Sequence, residues 1–159
     1  NYSGIPCEKI AIILLSAYVQ YGANQPEYDL IAVSGDKMLK ISVKGSQDGG
    51  WGLTQSYKEG CDYQEAIQKW LSNHHKKTIF CLVQFKGTED HEMPRMYLAS
   101  PVEIAEVLKK SAGGRGETIL YEYHEWGPRA AGRGTIDRVP DEWRFTAERA
   151  KDMFETYGQ

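Results

Sequence analysis

Tyr28-Asp29-Leu30-Ile31-Ala32-Val33-Ser34-Gly35-Asp36-Lys37-Met38-Leu39-Lys40-Ile41-Ser42-Val43-Lys44 is the stretch that decides how this chain is read. Two strand-like runs, residues 28–34 and 37–44, flank Gly35-Asp36. Glycine in the first position of a two-residue loop suits a tight hairpin turn. Such a loop pairs Ser34 with Lys37. Counting outward, Val33 meets Met38, Ile31 meets Lys40, and Asp29 meets Ser42. Side chains alternate across a strand, so Leu30, Ala32, Leu39, Ile41 and Val43 form an apolar face. The opposite face carries Asp29 against Ser42, with Lys44 diagonal to Asp29. A slip of one residue would exchange the two faces, so the reading hangs on the turn.

The flanking sequence alternates helix and strand signals. A helix is expected over residues 6–21, with Pro6 in its first turn and Gly22 at its stop. A Gly-rich loop over 45–60 follows the hairpin. An amphipathic helix is expected over 62–75, with Ala66, Ile67, Trp70 and Leu71 inward. Residues 78–86 and 95–99 read as strands. Ser100, Pro101 and Glu103 form the start signature of a helix over 101–111. A strand over 117–123, a loop over 127–134 and a helix over 140–157 complete the chain. The order α-β-β-α-β-β-α-β-α predicts an α/β domain with a mixed central sheet flanked by helices. At 159 residues, 41% of them hydrophobic, the chain reads as one domain spanning residues 1–159.

Composition narrows the function classes. The longest apolar run, residues 10–15, is far too short to cross a bilayer, and no leader is read from the start. Cys7, Cys61 and Cys81 are odd in number and lack Cys-x-x-Cys spacing, so reduced thiols and a cytoplasmic setting are expected, without a structural zinc. A formal net charge of -3 argues mildly against a nucleic-acid binder, although local patches decide binding. Lys109, Lys110, Arg115, Arg129, Arg133, Arg138, Arg144 and Arg149 offer a patch. Interleaved acids favour solvated surface charge instead. Neither a phosphate-binding Gly-Lys-Ser/Thr loop nor a Gly-x-Ser-x-Gly elbow occurs.

Glu8 is a further candidate. On the expected first helix it aligns with Ile12, Leu15 and Val19, apolar positions where a carboxylate needs a partner. An acid in a first helical turn also stabilises the helix dipole. Helix position leaves both readings open.

Glu8, then Tyr28-Asp29-Leu30, a short hairpin, and Ile41-Ser42-Val43-Lys44-Gly45-Ser46 together resemble the PD-(D/E)xK, or restriction-endonuclease-like, nuclease superfamily. The chain is most similar to small prokaryotic members whose motif reads Gln-Val-Lys, here Ser-Val-Lys. The resemblance covers roughly residues 8–85. The tail Asp141-Glu142-Trp143-Arg144-Phe145 also looks like the ending of related small proteins. The resemblance implies an αβββαβ-type core and a divalent-metal-dependent DNA endonuclease. It implies that Glu8, Asp29 and the Val43 carbonyl hold Mg²⁺ or Mn²⁺. Lys44 would steady the attacking water and the phosphate charge. By analogy it also implies a homodimer. Ser42 departs from the family's Asp, Glu or Gln. Either Glu8 and Asp29 supply enough charge, or the fold persists as a non-cleaving nucleic-acid-binding or protein-interaction module. Gln47, Trp51, Tyr57 and Lys58 are candidate nucleic-acid contacts, of DNA or of RNA, and equally ordinary loop residues with Trp51 tucked into the core.

Overall fold

The computed structural model describes Tyr18–Tyr21 and residues 28–159. Glu8, Cys7 and most of the expected first helix lie outside these residues. Where that helix was expected to end, Tyr18–Tyr21 is instead a strand, β1. The reason is local: Tyr-Val-Gln-Tyr is a β-branched and aromatic run, and it finds an antiparallel partner in β2 (Leu30–Ser34).

β2 pairs antiparallel with β3 (Lys37–Ser46) in the expected register: Ser34 with Lys37, Val33 with Met38, Ile31 with Lys40, Leu30 with Ile41. Gly35 takes φ +62° in the turn, a conformation only glycine adopts without strain. The loop expected over 45–60 is more structured than its composition suggested. It holds a short strand, β4 (Gly50–Gly52), and a 3-10 turn, Gln55–Tyr57. Helix α1 (Tyr63–Ser72) starts at Asp62, whose side chain accepts from the Glu65 N–H. The chain then enters β5 (Thr78–Gln84), which lies parallel to β3 and is buried along its whole length. β6 (Arg95–Ala99) pairs antiparallel with β5. The result is a five-stranded mixed sheet in the order β1-β2-β3-β5-β6.

Ser100 caps α2 (Pro101–Lys110) in a complete capping box with Glu103. The strand expected over 117–123 divides into β7 (Ile119–Tyr121), which pairs with β4, and β8 (Tyr123–Glu125), which pairs with β9 (Ile136–Arg138). The helix expected over 140–157 also divides. Asp141–Trp143 is a 3-10 turn, and helix α3 runs Ala147–Tyr157 behind a Thr146 cap. Between them Arg144 bridges Tyr97 and the Phe145 N–H donates to the Met96 carbonyl, so this segment covers the outer edge of β6. An uncovered sheet edge invites pairing with other chains.

The sheet buries both faces. Leu39, Ile41, Val43, Ile79, Cys81, Val83 and Leu98 pack under Met153 and Phe154 of α3. Phe80, Leu82, Tyr97 and Ala99 face Ile67 and Trp70 of α1 and Ile104, Ala105 and Leu108 of α2, with Trp51, Leu120 and Trp143 completing that layer. Burying each Val, Leu, Ile, Met or Phe among them contributes about 1.5–3 kcal/mol before chain entropy is counted. The molecule is thus mixed α/β, and no helix among the described residues is long and apolar enough to cross a membrane.

Candidate active site

β2 stops pairing at Leu30, while β3 runs on to Ser46. Among the described residues, this leaves the β2-side edge of β3 without a paired strand beyond Ile41, and Asp29 occupies it. The Asp29 N–H extends the ladder to the Ile41 carbonyl at 2.9 Å. Its carboxylate turns onto β3: Oδ2 accepts the Val43 N–H at 2.6 Å and the Ser42 hydroxyl at 3.3 Å. The first is a short, charge-assisted bond. Both fall on Oδ2, so neither holds Oδ1. In an extended strand a residue's N–H and C=O leave by the same edge, so the Val43 carbonyl faces the Asp29 side too.

Ser42 is buried, whereas Lys44 is exposed. Lys44 lines an open cleft of about 350 Å³ with Ser46, Gln47, Asp48, Trp51 and Leu53. The lining runs from Lys44 to Leu53 and leaves out Asp29, which stands back along the strand. The far rim is a turn: Asp48 Oδ1 accepts the Ser46 hydroxyl at 2.9 Å and the Gly50 N–H at 3.2 Å. These bonds, the Ser46 one foremost, hold the Asp48 carboxyl below its ordinary value.

The other candidates separate. Trp51 is 3% exposed, and its indole N–H donates to the Lys44 carbonyl at 3.0 Å. Its ring meets Tyr97 edge-on at 6.1 Å. It is a wall of the cleft that fixes the Lys44 backbone, not a free stacking platform. Gln47 is exposed at the cleft. Tyr57 and Lys58 are outside its lining and lie against α1. The Tyr57 hydroxyl accepts from Asn73, and the Lys58 ammonium donates to the Cys61 carbonyl. The basic residues of the last third do not form one free patch. Arg115 pairs with Glu117, Arg138 with Asp141 and Arg149 with Glu103.

One set of residues went unread in the sequence. The Glu122 carboxylate accepts from Arg95 Nε at 2.8 Å, from a second Arg95 nitrogen at 2.7 Å and from the Tyr97 hydroxyl at 2.7 Å. Burial, then the Glu122 bond, pushes the Tyr97 phenol up to about 12. Burial alone would raise the Glu122 carboxyl, but the Arg95 and Tyr97 bonds outweigh it and its value is lowered. The Glu122 N–H donates to the Gly49 carbonyl at 2.9 Å, so this network anchors the turn that rims the cleft. Arg95 and Glu122 are 27 residues apart, a separation that no local pattern reveals.

Among the described residues, no group of three or more His, Cys, Asp or Glu side chains could hold a metal ion. What stands at the β3 edge is one carboxylate, Asp29, and one carbonyl, Val43. Both are oxygen donors. Mg²⁺ takes oxygen ligands, keeps several waters and needs only one or two carboxylates, so these residues fit it as a partial set.

No protein-family model and no curated protein sequence matches the chain.

Proposed function

We propose that this protein is a divalent-metal-dependent DNA endonuclease whose site is the open edge of β3. The observation that carries the reading is the grip of Asp29 on the Val43 N–H, with Lys44 next along the same strand and exposed to a cleft. The element order supports it as well. Three antiparallel strands are followed, after β4 and a 3-10 turn, by a helix and a strand parallel to the third, the order of a restriction-endonuclease-like core with an insertion.

In this reading Asp29, the Val43 carbonyl and Glu8 hold Mg²⁺ or Mn²⁺. The ion, when bound, activates a water and stabilises the leaving oxygen of a phosphodiester. Asp29 is oriented by Val43 and Ser42, so its carboxylate needs no rearrangement to accept a cation. The Lys44 ammonium supplies positive charge where the phosphate gains negative charge. Trp51 fixes the Lys44 backbone, which limits where that ammonium can reach. Cutting both strands of a duplex would suit two symmetric copies.

A second reading has its own observation. Ser42 directs its hydroxyl into Asp29 where the family places a longer polar or acidic side chain. The same fold would then be a non-cleaving module that binds nucleic acid or protein. Incubation with supercoiled plasmid, with Mg²⁺ or Mn²⁺ and with EDTA, separates the two. The nuclease reading expects nicked or linear product only with the metal. Salt-sensitive binding without product in either metal would establish the module instead.

A further inference from the structure

A row of rings and cations leads from the cleft to the start of α1. It begins at Tyr121, which pairs with Gly50 of the cleft wall; a Cβ on Gly50 would stand 3.3 Å from the Tyr121 ring. The Tyr121 ring stacks on His124, centroids 4.3 Å apart and planes 17° apart. His124 meets Trp126 edge-on at 4.5 Å. The Arg115 guanidinium, ion-paired with Glu117, lies 5.7 Å from the Trp126 centroid and 4.1 Å from that of Tyr63. The Lys58 ammonium lies 4.6 Å from the Tyr63 ring.

These six residues come from five separate places in the chain: the 3-10 turn region, α1, the turn after α2, β7, and β8 with its exit. None is fully buried. The turn over residues 127–134 adds to the cationic side. It packs so closely that a Cβ on Gly132 would stand 2.8 Å from the Trp126 indole, and it carries the exposed Arg129 and Arg133. The Trp126 indole N–H is held by Asp137 at 2.6 Å, and partly exposed rings bordered by Lys58, Arg129 and Arg133 suit one ligand chemistry above others. Bases of an unpaired strand stack on aromatic rings, while their phosphates meet Lys and Arg. Paired bases in a duplex present no free faces to such a row.

We infer that the row Tyr121–His124–Trp126–Arg115–Tyr63–Lys58 binds an unpaired polynucleotide strand adjoining the cleft beside Lys44. This rests on the nuclease reading for what happens at the cleft, and names the substrate class: a duplex carrying a single-stranded extension.

The test is binding without cleavage, by fluorescence anisotropy in EDTA. The probes are a blunt duplex and the same duplex with a single-stranded extension, DNA in one arm and RNA in the other. Wild type should prefer an extended probe to the blunt one by roughly tenfold, the effect of about one stacked base. The arm with the larger preference identifies the strand. Tyr63→Ala should bring the ratio towards one, while Tyr63→Phe, which keeps the ring and its packing, should retain it. Equal affinity for blunt and extended probes in wild type, binding of neither, or an unchanged ratio in Tyr63→Ala would overturn the inference. Because metal is absent, loss of this preference and loss of cleavage are read separately.

Discussion

Trp51 shows how a residue's role is decided by its partner. An exposed tryptophan in a Gly-rich loop would serve as a base-stacking platform; here it is buried with its indole N–H on the Lys44 carbonyl. Trp51→Phe keeps most of the apolar contact and removes the indole donor from that carbonyl. A hydrogen bond of this kind contributes about 0.5–1.5 kcal/mol net. Urea unfolding of Trp51→Phe should therefore show a loss of that order. Any cleavage should fall through a lower kcat rather than a higher KM, because the bond positions Lys44 without touching substrate. Asp29 and Ser42 were legible as neighbours in the sequence because hairpin register follows from a two-residue turn and a period of two. That the Asp29 carboxylate would choose the Val43 N–H was not legible, since it depends on β2 stopping one residue short.

Among the elements, the hairpin was readable, whereas Tyr18–Tyr21 and the start of the 140–157 run were not. Tyr18–Tyr21 sits in an apolar run that suits a helix as well as a strand, and only the presence of β2 as partner decides between them. Residues 140–157 carry helical spacing, but the β6 edge draws Arg144 and Phe145 into extended backbone and divides the run. The same dependence on turn geometry gives a test of the hairpin. Gly35 has open space around its Cβ position, so any cost of Gly35→Ala is conformational rather than steric. Placing an L-residue at φ +62° costs roughly 1–2 kcal/mol. Gly35→Ala should lower the unfolding free energy by that amount, with an unchanged denaturant slope. A neutral result would mean that the turn relaxes and that register is held elsewhere.

At the scale of the molecule, the Arg95–Tyr97–Glu122 network ties β6 to the β7–β8 segment and gives stability a pH signature. The Glu122 carboxyl is lowered from its usual 4.5 on folding. Its contribution is therefore present above that value and lost as pH falls through the folded one. Tyr97 is raised from 10.0 to about 12, so its contribution is present below 10.0 and lost as pH rises towards 12. Thermal unfolding should show both limbs, and Glu122→Gln should flatten the acid limb and weaken the alkaline one. An acid limb equally steep in Glu122→Gln would place the titrating group elsewhere.

The open edge of β3, with Asp29 on Val43 and Lys44 beyond, is proposed as a metal-dependent phosphodiesterase site. Its most direct test is plasmid cleavage in Mg²⁺ by wild type, Asp29→Asn and Lys44→Ala, each verified as folded by circular dichroism. The site as described predicts cleavage by wild type and a loss of at least about a hundredfold in each variant, the scale of removing one preorganised electrostatic group. Wild-type rates that persist in both folded variants would contradict it.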